Sequence, residues 1–267
     1  MKCPLLLCTP LLVLAALHDA RAQADADAQL PAVAQEYLAP AASLSPQQVG
    51  ELQKRLLDWP QLGRYRADNA RLPTHAAGRV VFYGDSITDA WGRNGNGSVF
   101  FPGKPYLNRG ISGQTTAQML VRFRQDVVDL HPEVVVILAG TNDIAGNTGP
   151  ATLAMIEDNL RSMAELARAH DIRVVLASVL PASAYPWRPG YEPAAKIRAL
   201  NAWIGDYARA TGAVYLDYYA ALANAEGGLD PKLATDGVHP TAAGYAIMAP
   251  LAQRAIEQAL GLARRTP

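Results

Sequence analysis

From Arg79 onward the chain repeats one pattern: a short apolar run rich in β-branched residues, then a longer stretch with apolar positions at helical spacing. The runs are RVVFYG, EVVVILAG, IRVVLASVLP and GAVYLDY, and PYLNRG reads as a shorter one. The stretches between them cover about Thr115 to Leu130, Pro150 to His170, Glu192 to Thr211 and Pro240 to Leu260. A strand that is apolar at consecutive positions, not at alternate ones, has both of its faces buried. Such strands separated by helices specify a parallel sheet covered on both sides. In that architecture the working groups gather at the carboxyl ends of the strands, where the chain leaves the sheet.

The rest of the chain divides into segments. Residues 1–22 hold one early lysine, an apolar run from Leu5 to Leu17 and small residues at Ala20 and Ala22. This layout predicts a secretory signal peptide, and the run, which contains Pro10, is too short to be a comfortable membrane span. Residues 23–72 are expected to form an Ala/Gln/Asp-rich linker followed by a helical arm. Val49, Leu52, Leu56 and Leu57 take helical spacing after Ser45-Pro46, and the arm is expected to pack on the main domain. Residues 73–267 are expected to form the main domain, which carries the polar clusters described below. The expected location is therefore secreted or periplasmic, with no stable membrane insertion once the leader is removed.

Composition excludes several chemistries. Of 267 residues, Lys and Arg number 24 and Asp and Glu 24, so there is no net field to hold a polyanion, and nucleic acid is not expected as a partner. Cys3 and Cys8 both fall inside the leader, which leaves the mature chain without a thiol nucleophile or a cysteine-ligated metal.

Four polar clusters follow apolar runs or precede the last helix: Gly84-Asp85-Ser86, Asn108-Arg109-Gly110, Gly140-Thr141-Asn142-Asp143 and Asp236-Gly237-Val238-His239-Pro240. Converged on one sheet edge, they supply the parts of an acyl-transfer site. A serine hydroxyl needs a base, and the base needs a carboxylate to hold its tautomer. Ser86, His239 and Asp236 fit these roles, with Pro240 suited to start the helix that fixes His239. A tetrahedral intermediate needs donors for its oxyanion, and the backbone N–H of Ser86, the backbone N–H of Gly110 and the Asn142 amide are the candidates. Glycine at 110 is expected to let the backbone approach the substrate. Asp85 and Asp143 read as loop anchors that accept from backbone N–H groups.

GDSIT with Ser86, NRGISG with Gly110, GTND with Asn142 and DGVHP with Asp236 and His239 resemble the four sequence blocks of the SGNH, or GDSL-type, hydrolases. All four occur in order, and the resemblance spans about Arg79 to Leu260. It implies a flavodoxin-like three-layer α/β/α sandwich with a five-stranded parallel sheet. It also implies ester hydrolysis through an acyl-serine intermediate, with no cofactor and no metal. By position it implies Ser86 as nucleophile, Asp236 and His239 as its partners, and Gly110 and Asn142 completing the oxyanion hole. Ile87 replaces the usual leucine with a similar apolar plug.

Neighbouring motifs read differently. GRNGNG, residues 92–97, lacks the lysine of a phosphate loop and is expected to be a mobile loop. Asn96-Gly97-Ser98 is a formal glycosylation sequon in a eukaryotic host. In PASAYPWRPGYEP, Tyr185, Trp187 and Arg188 are candidate substrate contacts, with aromatic packing as the alternative use. The expected activity is an exported serine esterase acting on short-chain, possibly acetyl, esters of a carbohydrate or small molecule. The alternatives are a lysophospholipase or thioesterase with the same residues and, from another class, a silent carbohydrate-binding module.

Overall fold

A computed structural model of the chain describes residues 45–261 apart from Asn94 and Thr235. The signal peptide expected over 1–22 and the linker to about Ser43 lie outside the described residues. All five apolar runs form strands: β1 Val80–Gly84, β2 Tyr106–Gly110, β3 Val134–Leu138, β4 Arg173–Ala177 and β5 Val214–Leu216. They pair in parallel in the order β2-β1-β3-β4-β5, the flavodoxin-like doubly wound order.

The strand faces explain the unbroken apolar runs. Val81, Tyr83, Val135, Ile137, Val174 and Leu176 point to one side. There they meet Met119 and Phe123 of a helix over Thr116–Asp126, Ile156, Leu160 and Met163 of Leu153–Ala169, and Ile197, Leu200 and Ile204 of Ala194–Thr211. Val80, Phe82, Val134, Val136 and Val175 point to the other side, against Tyr245, Met248, Ala252 and Ile256 of Ala242–Ala259. Two apolar layers of helices therefore enclose the sheet, as the sequence pattern demands.

In chain order the helices are α1 Pro46–Leu57, α2 Arg66–Ala70, α3 Ser86–Asp89, α4 Thr116–Asp126, α5 Thr141–Ala145, α6 Leu153–Ala169, α7 Ala194–Thr211, α8 Tyr218–Leu222 and α9 Ala242–Ala259. The stretch expected as one helix to Leu130 stops at Asp126 and resumes as a 3₁₀ turn over Val128–Leu130.

Helix α1 forms where expected, with Ser45 and Gln48 hydrogen-bonding each other's backbone N–H across its start. Its packing departs from expectation, because Leu56 and Leu57 are 82% and 89% exposed. What holds this region to the domain is the polar hook that follows. Asp58 accepts from Leu62 N and Gly63 N at 2.8 and 2.9 Å, bending the chain back. The carbonyls of Trp59, Pro60 and Leu62 then accept from the side-chain amides of Gln118, Gln114 and Gln125. Tyr65 is buried, and its hydroxyl donates to Gly110 O.

One buried cation ties the carboxyl edge of the sheet together. Arg122 on α4 is fully buried beside the equally buried Asp126, with Nη1 3.2 Å from Asp126 Oδ2. The guanidinium donates to Gly84 O at the end of β1 (3.1 Å), to Arg109 O in β2 (2.9 Å) and to Gln114 Oε1 in the following loop (2.5 Å). Removing one partner of a buried pair leaves an uncompensated charge. Arg122→Met should therefore lower the unfolding free energy by about 3–5 kcal/mol in chemical denaturation, and a loss below about 1 kcal/mol, the range of exposed pairs, would contradict this account of the edge.

Candidate active site

Ser86 follows directly from β1. Asp85 caps the short helix α3 by accepting from Ile87 N at 3.0 Å, and this puts Ser86 in the helix's first turn. The N–H groups of a first turn have no helical acceptor, and that of Ser86 has none among the described residues. The Ser86 hydroxyl lies 2.8 Å from His239 Nε2, across 153 residues of sequence.

His239 is held from behind. Its Nδ1 lies 2.6 Å from Asp236 Oδ2, while Asp236 Oδ1 accepts from His239 N at 2.7 Å and Val238 N at 2.9 Å. Burial pushes the Asp236 carboxyl up, but hydrogen bonds from the His239 backbone and ring and from Val238 N outweigh it and hold the group below its usual range. An ionised Asp236 accepts the Nδ1 proton, which leaves Nε2 as the acceptor facing Ser86. That tautomer is the one a general base requires.

Asn142 is buried on α5, and both ends of its amide are engaged. Nδ2 donates to Gln114 O at 2.9 Å, and Oδ1 accepts from Asn147 Nδ2 at 2.7 Å. An amide nitrogen carries two hydrogens, so the second has no partner among the described residues.

Gly110 does not fit the donor role expected of it. Its N–H is already given to Asn108 Oδ1 at 3.0 Å. A Cβ at this position would come within 2.2 Å of Asp89 N, so glycine is required because α3 crosses here, not because a substrate approaches. Gly113, three residues on, has the opposite character. It sits in the left-handed region with φ +79°, an added Cβ would meet no heavy atom within 4 Å, and its N–H has no acceptor among the described residues. Its neighbours are Ser112, which lines the cleft at Ser86, and Gln114, whose carbonyl receives Asn142. The sequence signal was present as the second glycine of NRGISG.

The two acids beside the key residues are anchors, as expected. Asp143 takes Thr116 N on both oxygens at 3.0 Å and the Thr116 hydroxyl at 2.5 Å, fixing the start of α4. Burial raises its carboxyl to about 6, against the Thr116 hydrogen bonds. Burial likewise raises Asp85 to about 7, opposed by Ile87 N and the charge of His239 and assisted by Asp143.

The substrate-side candidates separate. Tyr185 is 1% exposed, with its hydroxyl 2.9 Å from Thr141 Oγ1, so it cannot touch a substrate and serves packing. Arg188 donates to Ala145 O at 3.0 Å and lies over the Tyr191 ring. Trp187 is 43% exposed, stacks on Tyr185 and brings its ring centroid to 6.1 Å from that of His239. The cleft itself has a volume of about 560 Å³ and is lined by Ser86, Ser112, Asn96, His239 and Thr241, among others. Asn96, from the GRNGNG loop, is fixed by Ala90 O and by Ser98. Among the described residues no group of three or more His, Cys, Asp or Glu side chains is placed to hold a metal ion.

Residues 82–247, more than half of the chain, match the model of the GDSL-like lipase/acylhydrolase family. The chain is 45% identical to a GDSL-like lipase of Bacteroides thetaiotaomicron whose crystal structure superposes with a TM-score of 0.72, covering 75% of this chain and 99% of that one. It is 33% identical over 142 residues to esterase TesA of Pseudomonas aeruginosa, a match covering 51% of this chain and 62% of that protein's length. An acetylxylan esterase of Geobacillus stearothermophilus shares the fold at 23% identity and a TM-score of 0.56, over 69% of this chain and 96% of that one.

The raised carboxyls have a measurable consequence. An acid whose folded pKa lies above its unfolded value of about 4 binds its proton more tightly when folded, so the stability it adds at low pH is lost as pH rises through the folded pKa. For Asp143 and Asp85 that loss runs up through about 6 and about 7. Melting temperatures should fall over this window, and Asp85→Asn, which keeps an acceptor for Ile87 N, should flatten the fall. An identical pH profile for wild type and variant would contradict the burial of an ionisable Asp85.

Proposed function

The chain belongs to the GDSL-like lipase/acylhydrolase family, and from this premise we propose that it is an exported serine esterase. In this reading it removes short acyl groups, acetyl among them, from a carbohydrate or another small ester. The observation that carries the proposal is the unbroken hydrogen-bonded run from Ser86 through His239 to Asp236, at 2.8 and 2.6 Å, facing an open cleft.

The chemistry follows from that run. Ser86 Oγ attacks the ester carbonyl carbon as His239 Nε2 takes its proton, and the carbonyl π electrons move onto oxygen. The oxyanion is met by the N–H of Ser86, the second N–H of Asn142 and the N–H of Gly113, which takes the place first expected of Gly110. Collapse of the intermediate breaks the bond to the alcohol oxygen, which leaves with the proton from His239. A water, deprotonated by the same nitrogen, then attacks the acyl-serine, and a second collapse frees the acid and restores Ser86.

Short acyl groups are favoured by the cleft lining, which offers Ser112, Asn96 and Thr241 with Ala90 and Pro240, and no large aliphatic side chain among the described residues. A sugar on the leaving side is favoured by Trp187, a flat, partly exposed ring beside His239 whose stacking on Tyr185 limits its freedom. Export rests on the leader pattern of residues 1–22.

On p-nitrophenyl esters the turnover rate should be highest at about four acyl carbons or fewer, since longer chains find no apolar wall to reward them; a maximum at about eight or more would replace the proposal with a lysophospholipase or thioesterase. Ser86→Ala should abolish turnover with the fold intact, and Asn142→Ala should lose about a hundredfold or more in kcat. Full activity in Ser86→Ala would assign the chemistry elsewhere.

A further inference from the structure

The segment expected to bind substrate also grips the helix that carries Asn142. Between Tyr185 and Arg188 it contacts the α5 region at three points: Tyr185 Oη to Thr141 Oγ1 at 2.9 Å, Arg188 Nη1 to Ala145 O at 3.0 Å, and Trp187 Nε1 to Asn147 Oδ1 at 3.1 Å. The last contact continues inward, because the same Asn147 donates from Nδ2 to Asn142 Oδ1 at 2.7 Å and from its backbone N to Asn142 O at 2.9 Å. The direction of each bond is dictated by its neighbours. The indole can only donate, so Asn147 turns its oxygen toward Trp187 and its nitrogen toward Asn142. Asn142 must then present its oxygen to Asn147 and its nitrogen to the site.

We propose that Asn147 and Trp187 are positioning residues for the oxyanion donor, a relay from the indole through one amide to the next that fixes which face of the Asn142 amide meets the substrate. The proposal rests on Asn142 being an oxyanion donor in the reading above. It gives Trp187 two functions: its ring forms the rim of the cleft beside His239, and its N–H sets the amide chain that ends in the hole. A substrate resting on that ring therefore acts on the same rigid unit that stabilises the transition state. Asn147 is exposed at the surface, so removing it leaves the core unchanged, and effects on activity and stability separate.

The test uses the full chain and a short-chain p-nitrophenyl ester. Asn147→Ala should lose about tenfold to a hundredfold in kcat with KM changed by less than about twofold, the pattern of a misplaced transition-state donor. A boronic acid that forms a tetrahedral adduct at Ser86 should bind more weakly by a similar factor, while the melting temperature stays unchanged. Trp187→Phe keeps a ring and removes the N–H; it should lose about threefold to tenfold in kcat alone, and nothing further in the Asn147→Ala background. Asn142→Ala is the reference. A large kcat loss in Asn142→Ala with none in Asn147→Ala overturns the relay and leaves the oxyanion reading standing. Full kcat in Asn142→Ala overturns both, and additive losses from Asn147→Ala and Trp187→Phe overturn the coupling between them.

Discussion

The carboxyl edge of the sheet depends on one guanidinium. Arg122 is planar, always charged and carries five donors in a fixed fork, so it can satisfy several acceptors at once where a lysine would satisfy fewer and in looser geometry. Its acceptors are the last carbonyl of β1, a carbonyl near the end of β2 and the side chain of Gln114. Each belongs to a segment that carries part of the site: β1 leads to Ser86, β2 leads to the turn at Gly113, and Gln114 O receives the Asn142 amide. The charge is tolerable there only because Asp126, on the same helix, is buried beside it. Asp126 also accepts from Asn69 at 2.8 Å, which carries the same network into the polar hook of residues 58–70.

The site thus has a fixed half and a delivered half. Ser86, the Gly113 turn and Asn142 stand on the Arg122 frame, and Asn142 is locked by two further amide hydrogen bonds. His239 and Asp236 arrive on a separate loop, are roughly one-third exposed, and are oriented through three hydrogen bonds to the Asp236 carboxylate, two from His239 and one from Val238 N. The two halves meet at the contact between Ser86 and His239. This division suits an acyl transfer, in which the oxyanion donors must not move, while the base has to serve first the serine and then a water.

Much of this could be read in the sequence, for identifiable reasons. The strands were legible because burial on both faces forces unbroken apolar runs, and the order of the polar clusters was legible because the fold puts them on one edge. Ser86, His239 and Asp236 stand out in the sequence by residue type and by their place after strands or before the last helix, and the structure brings the three within hydrogen-bond distance. Gly110 does not fit the donor role because a glycine in a motif signals a close approach without saying of what; here the neighbour is the backbone of Asp89 and the Gly110 N–H goes to Asn108, whereas the N–H of Gly113 has no acceptor among the described residues. Tyr185 stays open in the sequence between substrate contact and packing because aromatic residues in a loop look alike whether they face the solvent or stack beneath a neighbour; its burial decides for packing. Leu56 and Leu57 show the reverse limit: helical spacing predicted the helix and not what it packs against. Arg122, Gln114 and Asn147 carried no signal, because the role of each is defined by acceptors that only the fold brings together.

The central claim is that Ser86, activated by His239, is the group that bonds to the acyl carbon. Incubation of the purified protein with an organophosphate, followed by mass spectrometry of its peptides, tests this most directly. The account predicts a single adduct on Ser86 that forms in step with the loss of esterase activity and is absent from Ser86→Ala. A wild-type protein that takes up no label at Ser86, or that is labelled elsewhere as activity disappears, would contradict it.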